Sequence, residues 1–370
     1  MPLNYKKHYV YSAILCSSIL YIPLKFIGFF LKPHYKHQIK KILIQDGYRL
    51  GDIIMISRIF PGIRALYPDS QIHFISSPEA CELLKHAGWV DKLIPYKAPW
   101  CFNSSFLNSI KLFLSMASSL AYEKYDITLD LQGDPRGCAL LFASKIPLRY
   151  SLNDFGAAPF CTRTWQYPKQ IAHQLFRYEY LFEKVFSTRL PEFSKPIWPT
   201  QQNKLTKDIE LKKNQILIHP GASLPKRRWS STLFAQLLDL CKQANFDIVL
   251  IGGPGDKVIL DDICKKTTGK ITYQIPTFTE LEILFSQSEC VVCNDSFAGH
   301  AAWACNTKSV ILFGPGNPHQ VAPFTGKHFI IWNDTILSPP FSTWKGPEDI
   351  NKNSVETVFS AVKLHCGYDT

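Results

Sequence analysis

No Asp-x-Asp tripeptide occurs anywhere in the 370 residues. A divalent-metal clamp on a diphosphate is therefore not indicated, and fixed cations would have to act in its place. Acidic side chains are scarce: 30 Asp and Glu stand against 41 Lys and Arg, a formal net charge of +11. Such a surface favours anionic partners: nucleic acid, an anionic membrane face or phosphorylated small molecules. The sequence has no RNP-type aromatic motif and no paired zinc-finger spacing, so nucleic acid is not an expected partner. A disulfide framework is also missing. The 11 cysteines are odd in number and scattered, which fits reduced, mostly buried thiols. The one C-x-x-C, Cys290 to Cys293, lies on an apolar run. Residues three apart on a strand point to opposite faces, so the pair is badly placed for one metal. We expect no metal site and no cofactor.

The N-terminal apolar stretch is short for a membrane-spanning helix, which needs about 20 residues. Tyr9 to Leu24 is apolar, follows Lys6 and Lys7, and ends at Lys25. Phe26 to Leu31 continues it before Lys32, Lys36, Lys40 and Lys41, with no small-residue cleavage site. Residues 1–40 are expected to associate with an anionic inner-membrane surface as a helix lying in the interface with snorkelling lysines. The protein would then be cytoplasmic and peripheral. An extra helix packed on the neighbouring domain is the alternative.

What is present is an α/β pattern. At 46% hydrophobic and 19% charged the chain is globular, and its length allows two domains. Strands are expected at Ile42–Gln45, Gln71–Ser76, Lys92–Tyr96 and Tyr125–Asp130. Helices are expected at Ile53–Leu66, broken near Pro61, and at Pro78–Ala87 and Phe106–Tyr122. From Asn153 to Phe193 the pattern loosens, and Pro191–Leu211 reads as a connection. Alternation then resumes with strands Ile216–His219, Asp247–Ile251 and Glu289–Cys293. The helices there are Ser231–Gln243, Val258–Lys265, Thr279–Gln287 and a closing Val355–His365. This predicts two Rossmann-like domains, 41–200 and 201–345, with a C-terminal helix in 346–370. Their parallel sheets would face a central cleft.

Two segments carry a phosphate-binding pattern. Asn294-Asp295-Ser296 follows an apolar strand and opens a small-residue helix containing His300, so helix N–H groups would meet an anion at the sheet mouth. His219-Pro220-Gly221-Ala222-Ser223 precedes Lys226-Arg227-Arg228-Trp229. Ser223 can donate a hydroxyl and the cations can neutralise a departing diphosphate. A solvated basic loop is the bland alternative. Asp52, at a βα turn, could take a proton from an attacking hydroxyl or simply cap its helix. Asp130, Asp134 and Arg136 could bind polar acceptor groups or form a turn with a local ion pair. Asp256 could take ribose hydroxyls or be an ordinary loop aspartate.

In order and spacing, these segments resemble glycosyltransferase family 9, the ADP-heptose:lipopolysaccharide heptosyltransferases. The anchors are Leu50-Gly51-Asp52-Ile53, Leu66-Tyr67-Pro68-Asp69, Asp130-Leu131-Gln132-Gly133, the His219 and Lys226 segments, Ile251-Gly252-Gly253-Pro254, Asn294-Asp295-Ser296 and Phe313-Gly314-Pro315. The resemblance runs from about Lys41 to about His328. It implies a GT-B fold and inverting, metal-independent transfer of a heptose from ADP-heptose to a lipopolysaccharide core acceptor at the cytoplasmic membrane face. By resemblance Asp52 is the catalytic base. Ser223, Lys226, Arg227, Asp256, Asp295, Ser296 and His300 fall on the donor side. Arg58, Asp130, Asp134 and Arg136 fall on the acceptor side. The chain departs from the family at Phe297, where glycine is usual, at Arg58, where proline is common, and in its N-terminal extension. Two alternatives stay open. One is a sugar-nucleotide isomerase or hydrolase that needs no lipid acceptor. The other, motivated by Phe297, is a degenerate member that binds sugar nucleotide, or scaffolds an envelope-biosynthesis complex, without transferring.

Overall fold

The computed structural model describes residues 38–46, 49–101, 105–168, 173–190, 195–199 and 211–367. The apolar N-terminal run, and with it the expected interfacial helix, lies outside them. Among the described residues no helix is long and apolar enough to cross a membrane. The chain divides into two compact units, Met1–Pro191 and Glu192–Thr370.

In the first unit the order is β1 (Lys41–Gln45), α1 (Leu50–Ile56), α2 (Ile59–Leu66), β2 (Gln71–Ser76), α3 (Pro78–Leu84), β3 (Lys92–Pro95), α4 (Phe106–Glu123), β4 (Ile127–Asp130), α5 (Pro135–Ala143), β5 (Leu148–Leu152), β6 (Arg163–Trp165) and α6 (Gln174–Phe186). The sheet runs β3-β2-β1-β4-β5-β6, with every pairing parallel. Ile42, Leu43 and Ile44 are fully buried in succession, as a strand covered on both faces requires. Ser77, Ser105 and Asp134 cap α3, α4 and α5 by accepting from backbone N–H groups. The expected helix break occurs at Ser57 and Arg58, ahead of Pro61. Pro61 sits in the first turn of α2, where no intrahelical bond is lost. Helix α6 arises inside the stretch read as loosely patterned.

The second unit runs β7 (Lys212–His219), α7 (Ser231–Gln243), β8 (Asp247–Ile251), α8 (Lys257–Lys266), β9 (Tyr273–Gln274), α9 (Phe278–Gln287), β10 (Ser288–Asn294), α10 (Phe297–Ala304), β11 (Lys308–Phe313), α11 (Pro318–Val321), β12 (His328–Trp332), β13 (Thr335–Leu337) and α12 (Val355–Cys366). Its sheet order is β13-β12-β11-β10-β7-β8-β9, and only β13 is antiparallel to its neighbour. Ile216, Ile218, Cys290, Val292 and Leu312 join Phe234, Val358 and Val362 in one core, so α12 is an integral layer of this unit. Cys290 and Val292 share that face, while Cys293 is buried but falls on the alternate side of the strand.

In both sheets the strand order reverses beside the first strand, between β1 and β4 and between β7 and β10. In open α/β sheets ligands bind outside the strand C-termini at such switch points.

Candidate functional site

At the switch point of the second unit, Asn294 joins the two segments in which a phosphate-binding pattern is expected. It is fully buried at the end of β10. Its Nδ2 donates to the Pro220 carbonyl at 2.7 Å, and its Oδ1 accepts from the Trp229 N–H at 3.1 Å. The basic loop is thereby pinned at both ends. Arg228 Nε donates to the Ala222 carbonyl at 2.7 Å and closes the loop on itself. Trp229, fully buried, donates from Nε1 to the Asn353 carbonyl at 3.0 Å. Of the three adjacent cations, Arg228 therefore has a structural task. Lys226 is exposed, as is Ser223. Arg227 Nη1 forms an ion pair with Asp295 Oδ2 at 3.0 Å.

Asp295 is buried, and its carboxylate fits because residue 316 is glycine: a Cβ there would lie 2.1 Å from Oδ2. Ser296 follows as the N-cap of α10, in an extended conformation, and makes no side-chain cap bond. Its Oγ is buried and has no hydrogen-bond partner. The first-turn N–H groups of an α-helix have no intrahelical acceptor either, and the helix dipole places partial positive charge there. A hydroxyl, amides and a nearby guanidinium thus gather at one turn, a chemistry suited to a phosphate. His300, one turn further in, is also buried. Phe297 packs against Trp198 and Phe278, with ring centroids 6.1 and 6.2 Å away. The bulk that replaces a glycine is thus taken up by an aromatic cluster.

Asp256 accepts from the Gly253 N–H at 2.9 Å and fills the space beside Gly221, where a Cβ would fall 2.2 Å from its Oδ2. It also faces His219, whose pKa burial lowers while Asp256 opposes that shift. His219 Nδ1 is buried without a partner. In the sequence pattern His219 ends the strand expected at Ile216–His219 and carries no role of its own.

In the first unit, Asp52 is half-buried in the first turn of α1. The helix begins at Leu50 and its N-cap is Arg49, so Asp52 is not the cap, contrary to the alternative drawn from the sequence. Asp46, buried at the end of β1, was not singled out in the sequence. Burial raises the Tyr178 phenol, on α6, well above its ordinary value, and the charges of Asp46 and Asp52 push it further.

The acceptor-side residues are engaged by partners within the first unit. Asp130 is buried and accepts from Gln45 Nε2 at 2.8 Å, Gly133 N–H at 2.6 Å and Ser151 Oγ at 2.9 Å. Burial pushes its pKa up to about 6, against those hydrogen bonds. It ties three strand ends together, and an acceptor contact has no support in this placement. Arg58 is likewise buried, 2.6 Å from Glu179 on α6, and burial lowers its pKa while Glu179 opposes the shift. Asp134 caps α5 and holds Arg136 through Nε at 3.0 Å and Nη2 at 2.6 Å, the local ion pair that was the alternative reading. Arg177, which sequence reading missed, braces the same turn by donating to the Gln132 carbonyl at 2.7 Å. Among the described residues no group of His, Cys, Asp or Glu is arranged to hold a metal ion.

Comparison with known proteins adds a family and a fold. Residues 113–346 match glycosyltransferase family 9 (heptosyltransferase). Lipopolysaccharide heptosyltransferase 2 of Salmonella typhimurium is 24% identical over 325 residues, covering 79% of this chain and 87% of that protein. The glycosyl transferase family 9 structure from Veillonella parvula superposes with a TM-score of 0.73 at 19% identity, covering 91% of this chain and all of the other. An E. coli heptosyltransferase determined with ADP-2-deoxy-2-fluoro heptose gives a TM-score of 0.67 at 14% identity, covering 88% and 99% of the two chains. Two parallel-sheet α/β units of this kind make the GT-B fold.

Proposed function

The chain belongs to glycosyltransferase family 9, and on that premise we propose that it transfers a heptose, or a related sugar, from ADP-heptose or a similar nucleotide sugar to a lipopolysaccharide core acceptor. The reaction is inverting and metal-independent, carried out at the cytoplasmic face of the inner membrane. The observation that carries this reading is the Ser296 hydroxyl, buried and unpartnered at the start of α10, next in sequence to the Asp295–Arg227 pair.

The donor diphosphate is bound by the α10 N-terminus, Ser296 and Arg227, with Lys226 as a second, more exposed cation. Asp52 accepts the proton of the attacking hydroxyl. The new bond forms at the anomeric carbon as its bond to the diphosphate oxygen breaks. The leaving group departs into preorganised dipoles and positive charge, which cost little reorganisation at that moment. Asp256 takes the donor ribose in exchange for its bond to Gly253. On the acceptor side, Asp134 and Arg136 remain candidates.

The test is a mass shift of truncated lipopolysaccharide acceptors incubated with a panel of nucleotide sugars. Asp52→Asn is expected to abolish transfer while ADP still binds by calorimetry. Full turnover by that variant would remove Asp52 as the base. ADP binding with no transfer to any acceptor would favour the degenerate reading, for which Phe297 is the motive.

A further inference from the structure

Helix α4 is packed over only part of its length. Ala117 and Leu120, in its C-terminal half, are buried in a core with Leu140 and Leu141, and Phe113 and Met116 lean on the same cluster. Its first turns are different. Phe106 is 78% exposed, Leu107 77%, Ile110 41% and Leu114 58%. At 3.6 residues per turn these four fall within about 100° of one another around the helix, so they form one stripe. The stripe presents on the order of 400 Å² of apolar surface, the scale at which an exposed patch marks an interaction site.

We propose that this stripe docks the first unit onto an anionic lipid surface. Charge supports that occupant. No Asp or Glu occurs between Ser105 and Tyr122, and the charged residue in that span is Lys111, exposed at the flank of the stripe. Lys97, ahead of the helix, is exposed as well. The acid that ends α4, Glu123, is neutralised by Lys41 at 2.6 Å and Lys92 at 2.5 Å. An apolar face with Lys111 at its flank and no acid between Ser105 and Tyr122 suits the boundary of acyl chains and anionic headgroups. Area argues against a second copy of the chain, since a stable interface buries roughly 800 Å² per partner. The helix lies on the surface and does not enter as a span, consistent with its being too polar along its length for a membrane-crossing helix.

Topology makes the location informative. A helix that follows a parallel strand runs back against the sheet, so the start of α4 lies at the C-terminal end of the strands. Asp52 and Asp134 occupy that same end of the unit. Docking there brings the chemistry-bearing edge, not the opposite one, to the lipid.

The experiment uses the full chain and vesicles of phosphatidylcholine with and without phosphatidylglycerol, which contain no sugar acceptor. Its outcome is therefore separable from that of the transfer assay. Wild type is expected to float with the anionic vesicles, and backbone amides of residues 106–114 should exchange at least about threefold more slowly when lipid is added. The double variant Leu107→Ser, Leu114→Ser should lose that protection and at least about fivefold of the vesicle partitioning, with an unchanged melting temperature. Tyr122→Ser, an exposed position outside the stripe, should behave as wild type. Flotation without protection of 106–114 would mean that another segment, such as the N-terminal run, makes the contact, and would overturn the proposal. So would protection that appears without lipid as the protein is concentrated, which would mark a contact between copies.

Discussion

Arg227 Nη1 lies 3.0 Å from Asp295 Oδ2, so two residues that the sequence assigns to one ligand hold each other. The carboxylate is the more buried partner, at 4% exposure against 24% for the guanidinium. Removing the cation would leave a buried negative charge without its counter-ion, at a cost of about 3 kcal/mol. Arg227→Met should therefore lower both the melting temperature and ADP affinity. Lys226→Ala, at an exposed position, should leave the melting temperature within about a degree. Equal effects of the two substitutions on stability would contradict the assignment of the ion pair.

Ser296 should behave in the opposite way. Its Oγ satisfies no partner in the folded protein, so Ser296→Ala is expected to be neutral or slightly stabilising. A hydroxyl bond to a charged phosphate is worth about 1.5–3 kcal/mol, so ADP should bind about 10- to 100-fold more weakly. Calorimetry and a thermal melt on the same sample decide it. Unchanged affinity would place the diphosphate elsewhere.

Asn294 supports both loops at once. Asn294→Ala would orphan the Pro220 carbonyl and the Trp229 N–H, with an expected loss of about 2–4 kcal/mol in urea unfolding. Asn294→Asp keeps an acceptor for Trp229 but no donor for Pro220, and should fall between. A variant as stable as wild type would show that the loop is held by other contacts.

Two buried histidines predict acid sensitivity. Burial, with help from nearby His365, Lys327, His300 and Lys195, pushes His328 down to about 3. His365 is lowered to about 4, again chiefly by burial, with Ser309 opposing the shift and Lys308 adding to it. In the unfolded chain each titrates near pH 6.5, as about the ordinary value. Below that pH the unfolded state binds more protons, so this stability is present above about 6.5 and is lost as the pH falls toward 4. Asp130, raised to about 6, works with the opposite sign: the folded state binds its proton first as the pH falls. The urea midpoint should drop between pH 6.5 and 5, less steeply in His328→Gln and more steeply in Asp130→Asn. A flat profile would refute the burial of neutral imidazoles.

The elements legible in the sequence are those whose signals are local. Ser231–Gln243 and Asp247–Ile251 are bounded by their own caps and turns, and both match the structure residue for residue. Helix α6 hides because its N-cap is His173 and its C-terminal left-handed residue is Ser187, neither a common signal. Its buried face also carries Arg177 and Tyr178. The site divides along the same line. Asn294-Asp295-Ser296 and the basic loop read correctly as strand-end turns. The buried contacts of Asp130 and Arg58 are not legible there, because their partners, Gln45, Ser151 and Glu179, lie far away in sequence.

Asn353 extends this logic to the end of the chain. It stands just before α12, accepts from Trp229 Nε1 and the Asp334 N–H, and donates to the Phe313 carbonyl. The last helix is thus latched to the basic loop through Asn353, more than a hundred positions downstream of it, and Asn351 accepts from the neighbouring Ser230 N–H. A fusion placed after Thr370 should leave that latch shut. A chain ending before Asn353 would unfasten Trp229, so shortening the protein from this end would disable a loop it never touches in sequence.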